Sequence, residues 1–296
     1  MAVARRIRRR GWMNAAKKTP QAPEPRRPSV PHLAVRSRTG GSLAEARVYV
    51  FDIEGTLVDT VLPSLNCWTQ TLAEFGHTFR TADIHRYEGM DAEDMLTELL
   101  PESECRETRE LVLDKYRWRM RTEVLPTLRA FPGVRTLIAD LKSRGAAVAL
   151  VTTARDEELA HYRSLIEVDD LVDTVVSGGE VERGMPHPDL LEAVLERLGT
   201  RHPGDALLIG DTPYDAEAAH HVRMRAVGML SGLYAKADLV NAGCQAVFLD
   251  PRSLHSALAL PEHAAAPVAA EPGSEVGSEL EVDAETVPTA PAPEAA

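Results

Sequence analysis

Three short stretches of the 296-residue chain carry side chains whose types and spacing could do chemistry together. The first is Asp52-Ile53-Glu54-Gly55-Thr56-Leu57-Val58-Asp59, the second Thr152-Thr153, the third Gly210-Asp211-Thr212-Pro213-Tyr214-Asp215. Carboxylates packed together repel unless a cation neutralises them, and hard oxygen ligands of this kind suit Mg²⁺. Hydroxyls and turn amides beside such a metal suit a phosphate. Two carboxylates two positions apart, Asp52 and Glu54, can divide the work of nucleophile and acid–base partner. That chemistry requires the three stretches to meet at one place in the fold.

The elements around them make such a meeting possible. Residues 47–53 form a β-branched and aromatic run that ends in a Glu54-Gly55 turn, which reads as a buried strand. Similar runs occupy 146–151, 174–177, 205–209 and 225–228, with a weaker one at 246–249. Helical patterns lie between them. Residues 133–144 place Val134, Leu137, Ile138 and Leu141 on one face and stop at Gly145. Residues 188–198 open on Pro188 and stop at Gly199. Strands alternating with helices predict an α/β fold, a doubly wound parallel sheet covered on both faces. Residues 63–130 break the alternation: they hold no strand candidate and read as helices over 63–75, 81–87, 92–100 and 104–121. In an open parallel sheet, ligands bind at the carboxyl ends of the strands, where all three stretches fall. A helical module hung from the first such end would cover that crevice as a lid. The expected organisation is therefore a core of residues 46–62 and 131–261 with a cap of residues 63–130.

This arrangement resembles the haloacid dehalogenase superfamily, in its phosphatase-like branch with a helical cap, and is similar to phosphoglycolate phosphatases. The likeness spans nearly all of residues 46–261. It rests on Asp-x-x-Gly-Thr-Leu-x-Asp at 52–59, a strand ending in Thr152, and Gly-Asp-Thr-Pro-Tyr-Asp at 210–215, in that order. The resemblance implies a Rossmann-like core and Mg²⁺-dependent hydrolysis of a small phosphorylated metabolite through an aspartyl-phosphate. Asp52 would be nucleophile and metal ligand, and Glu54 the acid–base residue whose backbone carbonyl also ligates the metal. Asp211 would bind Mg²⁺ and Asp215 would orient that shell, so the expected metal site is Asp52, Glu54, Asp211 and Asp215. Thr152 and Thr153 would meet the phosphoryl group. From the cap, Arg86 in the loop 86–91 is the residue expected to meet an anionic substrate.

Two departures stand out. Glu54 occupies a position where these phosphatases usually carry Asp, one methylene shorter. The stretch Gly184-Met185-Pro186-His187-Pro188-Asp189 has Met185 where the family's Gly-Lys-Pro-x-Pro-Asp has Lys. Losing one preorganised charge at a phosphoryl site costs about 10²–10³ in rate. Arg155, Arg183 and His187 are the candidate replacements. A binding protein that keeps the fold without turnover, and a sugar-phosphate mutase, are the rival readings. A phosphonate hydrolase of this family needs a cap lysine, and residues 63–114 contain none.

Composition narrows the classes further. Hydrophobic residues make up 44% and charged residues 26% of the chain, ordinary for a globular domain. No apolar run approaches the roughly 18–20 residues that span a bilayer, so no membrane partner is expected. Cys67, Cys105 and Cys244 form no CxxC pair, which fits a reducing, cytoplasmic setting without a disulfide scaffold. The formal charge of −12 is distributed unevenly. Residues 1–45 are rich in Arg and Pro, and residues 262–296 hold eight acids and no Lys or Arg. Neither can bury enough apolar surface to order itself, so both are expected to be disordered. The basic head is read as a solvated tail in preference to a nucleic-acid arm. No motif specifies the substrate or an oligomeric state.

Overall fold

The computed structural model of the chain describes residues 42–101 and 103–259. Nearly all of the basic head and the acidic tail lie outside the described residues. In chain order the elements are β1 (Val48–Asp52), α1 (Val61–Glu74), α2 (Thr81–His85), α3 (Ala92–Leu99), α4 (Arg106–Arg119) and α5 (Val134–Ser143). There follow β2 (Ala147–Thr152), α6 (Asp156–Ile166), β3 (Thr174–Ser177), α7 (Asp189–Arg197), β4 (Ala206–Gly210) and α8 (Pro213–His221). The chain continues through β5 (Arg225–Met229), α9 (Lys236–Ala242), β6 (Ala246–Phe248) and α10 (Pro251–Ala259). The six strands form one parallel sheet in the order β3-β2-β1-β4-β5-β6. All six apolar runs in the sequence are strands of it. The order reverses between β1 and β4, the switch point at which such sheets leave a crevice.

Alternation along the central strands explains the two helical layers. Tyr49, Phe51, Val148, Leu150, Leu207 and Ile209 point to one face, where Leu137, Ile138 and Leu141 of α5 and Leu254 of α10 cover them. Val48, Val50, Ala149, Val151, Ala206 and Leu208 point to the other, under Leu190, Leu191 and Val194 of α7 and the alanines of α8. Each large apolar side chain so buried contributes about 1.5–3 kcal/mol. A one-residue slip of β1 would exchange the two faces, so packing fixes its register. In that register Asp52 lies opposite Val151 and Phe51 opposite Ile209. Thr152 and Asp211 therefore begin just beyond the level of Asp52.

Helices α1–α4 pack around a third cluster of their own. Val61, Leu65, Trp68 and Leu72 of α1 meet Ile84, Met95, Leu96, Val112 and Leu113, and Trp68 stacks on Tyr116 at 3.6 Å between ring centroids. The helical insertion is tied to the core where the chain leaves and returns. Asp59 N–H donates to Arg129 C=O at 2.9 Å, and Phe131 N–H donates to Leu57 C=O at 2.8 Å. Helix α4 is followed by a π-helical turn, Met120–Val124, before that return.

Candidate active site

Asp52 ends the central strand and is 9% exposed. The chain then turns tightly: Leu57 and Val58 N–H both donate to Ile53 C=O, and Gly55 N–H donates to Val58 C=O. Gly55 has φ +70°, and a Cβ on it would stand 2.1 Å from Oδ2 of Asp211. Glycine is required there twice, for the left-handed backbone and for the approach of that carboxylate. Asp211 is 2% exposed, and its Oδ1 accepts a hydrogen bond from Thr56 Oγ1 at 3.0 Å. Thr212 caps helix α8, and Asp215 completes the capping box from the third helical position. Its Oδ2 accepts from the Thr212 amide at 2.9 Å and from the Thr212 hydroxyl at 2.7 Å.

The electrostatics follow from this crowding. Burial, then the charges of Asp215, Glu54 and Asp211, push the Asp52 carboxyl well above the usual range. Burial and Asp215 do the same to Asp211, partly offset by the Thr56 hydroxyl. Glu54 is raised to about 7, chiefly by burial, although the Thr152 hydroxyl pulls it down by donating to Glu54 Oε2 at 2.7 Å. Among the described residues no Lys, Arg or His forms an ion pair with any of these four acids. Carboxylates buried without a counter-charge cost several kcal/mol each, so this donor set fits a hard divalent cation such as Mg²⁺. Among the described residues no three His, Cys, Asp or Glu side chains are grouped as a ready-made cage. Asp215 Oδ2 is committed to Thr212, which leaves the carboxylates of Asp52 and Asp211 as the donors of this small cavity that suit a cation.

Two cavities meet at this point. A small one of about 30 Å³ is lined by Asp52, Glu54, Asp211 and Asp215, together with Thr153 and Glu88. A larger one of about 460 Å³ runs between the helical insertion and the core, past Trp68, Met95, Tyr116, Arg155 and Glu158. Glu54, Thr60, Glu88, Gly89 and Thr153 line both. The acid cluster is thus the floor of a wider pocket.

Comparison with known proteins decides the family. Residues 49–229, more than half of the chain, match the model of the haloacid dehalogenase-like hydrolases. The chain belongs to that family. Pyrophosphatase PpaX from Bacillus cereus is 26% identical over 167 residues, covering 56% of this chain and 74% of that protein. The phosphorylated carbohydrates phosphatase of Thermotoga maritima is 26% identical over 200 residues, covering 67% and 92%. A hydrolase from Pseudomonas syringae superposes with a TM-score of 0.65 at 27% identity, over 71% of this chain and 97% of that one.

As a haloacid dehalogenase-like hydrolase, the chain has its two strand-end Asp residues, Glu54 and Thr153 at one pocket. Thr152 is 1% exposed and stands behind Glu54: its hydroxyl accepts from the Ala154 amide at 2.9 Å while donating to Glu54. Arg86 does not line either cavity. Its guanidinium lies 5.4 Å from the centroid of the Tyr87 ring, and Glu88 of the same loop takes the place expected of it. The reason is the turn at Gly89, with φ +90°, which seats the loop against Thr212 so closely that a Cβ would approach Thr212 Cγ2 to 2.6 Å. Met185 is 2% exposed and packs with Val176, Leu190 and Leu191, a plain core residue. Of the three candidate replacements for the lysine, Arg183 pairs with Asp189 at 3.1 Å and His187 lies 3.8 Å from Asp94. Arg155 lines the larger cavity, beside Arg117 and Arg121 of the insertion. Sequence reasoning missed Glu88, Tyr214 and Tyr234, the last two because they act through hydroxyls on backbone carbonyls far along the chain.

Proposed function

We propose that the chain is a Mg²⁺-dependent phosphatase acting on a small phosphate monoester, with Asp52 as nucleophile. The pairing of Asp52 with Glu54 at the floor of the pocket carries this reading. Mg²⁺ held by Asp52, Asp211 and the Glu54 carbonyl would neutralise the phosphoryl oxygens. An oxygen of Asp52 attacks phosphorus, the bond from phosphorus to the ester oxygen breaks, and protonated Glu54 gives its proton to that leaving oxygen. Glu54, now charged, then takes a proton from water, whose oxygen attacks the aspartyl-phosphate and releases inorganic phosphate. Thr152 serves by holding the Glu54 carboxyl in place, and Thr153, which lines both cavities, faces the phosphoryl group. The relatives named above as phosphatase and pyrophosphatase support a phosphorylated substrate.

The test is a panel of phosphate monoesters assayed with and without Mg²⁺, for wild type and Asp52→Asn. Hydrolysis that needs Mg²⁺ and falls at least about a thousandfold in Asp52→Asn, with the melting temperature retained, is expected. Activity of Asp52→Asn within tenfold of wild type removes Asp52 as nucleophile. One observation favours a second reading, a phosphate-binding protein without brisk turnover: buried Met185 supplies no charge to the phosphoryl group. Tight binding of esters by wild type without hydrolysis would select it.

A further inference from the structure

The larger cavity changes character away from the small one. Glu54 and Glu88 line both, whereas Arg117, Arg121 and Arg155 line the larger cavity alone. The three arginines come from two sides of it. Arg117 and Arg121, four positions apart, belong to the end of α4 and the π-helical turn that follows, and Arg155 stands just before α6 of the core. None is well matched within the chain. Among the described residues the Arg155 guanidinium takes part in no hydrogen bond or ion pair. Arg117 reaches Glu93 only at 3.7 Å and Asp114 only at 4.0 Å, and Arg121 pairs with Glu157 at 3.2 Å. The Arg117 and Arg121 side chains are 45% and 54% exposed, and ion pairs this open hold weakly. The acids on the same wall do not cancel them. Asp91 is committed to the Glu93 amide at the start of α3. Burial raises the Glu158 carboxyl against the pull of Arg117 and Arg155, so it carries its charge less readily than an open acid. A second group also lacks a partner. Tyr162 of α6 lines the cavity and is 2% exposed, and its hydroxyl makes no hydrogen bond with any described residue. A buried donor left unpaired is costly, which calls for an acceptor that arrives with the ligand. Trp68, Met95, Leu113 and Met120 make much of the remaining wall apolar.

We propose that Arg117, Arg121 and Arg155 form a subsite for a second anionic group of the substrate, a carboxylate or a further phosphate. The inference rests on the phosphatase reading and names its substrate class: phosphate monoesters whose leaving group carries a negative charge beyond a short carbon spacer. Guanidinium groups suit such an anion because their donors form a fork that meets its oxygens two at a time. Glu157, displaced from Arg121 by the incoming group, is 67% exposed and returns to water. Tyr162 donates to an oxygen of the same leaving group. A pocket built to satisfy a polar group of its ligand discriminates strongly against an analogue that lacks it.

The experiment compares propyl phosphate, 3-hydroxypropyl phosphate, 2-carboxyethyl phosphate and propane-1,3-diol bisphosphate, by kcat/KM in wild type and by calorimetric binding to Asp52→Asn. Wild type should prefer one or both of the last two over propyl phosphate by about tenfold or more. A gain confined to the carboxylate or to the bisphosphate supports the inference and names the anion. In the double variant Arg117→Gln, Arg121→Gln the preference should shrink to within about twofold, mostly by loss on the doubly charged esters, and Arg155→Gln should shrink it further. A second measurement needs no variant. Raising the ionic strength from about 0.01 M to about 1 M shortens the screening length from about 30 Å to about 3 Å, so the wild-type preference should fall with salt. Taking the ratio of two esters cancels any effect of salt on the Mg²⁺ site. Equal use of all four esters by wild type, a preference that salt does not move, or one unchanged in the double variant overturns the inference and leaves the phosphatase reading standing. An arginine-dependent preference seen in binding, with no hydrolysis by wild type, does the reverse. Failure to bind any of the four removes both.

Discussion

At the scale of single residues, the site is defined by charge that the protein itself leaves unbalanced. Asp52 and Asp211 are buried against each other and against Asp215, and the lysine that the family places nearby is Met185. Met185 lies among apolar side chains, so a lysine there must extend its stem to bring the ammonium toward the acids. Its neighbour Gly184 stands against Thr153, which lines the small cavity, so the distance is short in chain terms. A phosphoryl group in flight spreads its charge over three oxygens, and catalysis of its transfer is mostly electrostatic positioning. Met185→Lys is accordingly expected to raise kcat by about 10–10³, with a smaller effect on KM. Steady-state kinetics on the best ester check this, with the melting temperature measured alongside. A loss of stability with kcat unmoved would show that the ammonium is trapped in the core, and that Arg155 supplies whatever cation the reaction uses.

At the scale of elements, the strands and the pocket depend on each other through a few backbone fastenings. Tyr214 follows β4 and Tyr234 follows β5, yet both hydroxyls donate to carbonyls of residues 85–88 in the helical insertion. His85 Nε2 adds a contact of 2.7 Å to Gly232 C=O. Each such bond contributes about 0.5–1.5 kcal/mol net. We expect the double substitution of Tyr214 and Tyr234 to Phe to raise KM by about tenfold with little change in kcat, because it loosens the wall that carries Glu88 while leaving Asp52 and Glu54 untouched. Faster hydrogen exchange at residues 85–91 should accompany it, and an unmoved KM would show that these hydroxyls do not hold the loop.

The same elements show what a sequence can and cannot disclose. The strands were legible because apolar runs such as 47–53 have no other good fold, and the chemistry was legible because it stands where those runs stop. The loop 86–91 was also legible as a place of contact, but the side chain that faces the pocket was not. Arg86 has the charge that an anion would want. The handed turn at Gly89, and Tyr214 and Tyr234, which bond the loop from 128 and 149 positions further along the chain, turn Glu88 inward instead.

For the molecule as a whole, the acids of the site are a standing cost that proton or metal must relieve. Glu54 and Glu88 move from an ordinary 4.5 to about 7, both mainly through burial, and Asp52 and Asp211 move upward with them. Raised carboxyls hold their protons longer in the folded chain than in the unfolded one. Stability from this source is therefore fully present below the unfolded values and declines as pH rises from about 4.5 through about 7. Ion-paired acids such as Asp83 and Asp170 are shifted downward, and their contribution is lost only under more acidic conditions, so the two windows separate. Without metal, the melting temperature should fall between pH 5 and pH 8. Mg²⁺ competes with protons for the same oxygens, so its stabilisation should be small at pH 5 and larger at pH 8, where about 100 Kd of Mg²⁺ contributes roughly 2.7 kcal/mol. In a domain of this size that is about 5–10 °C. Asp211→Asn should flatten both the pH slope and the response to Mg²⁺, because it removes one charge from the cluster and one donor from the metal. Thermal melts of the full chain across that range, with and without Mg²⁺, decide the matter: a Mg²⁺ response that is equal at both pH values, or that survives in Asp211→Asn, would place the cation somewhere other than these carboxylates.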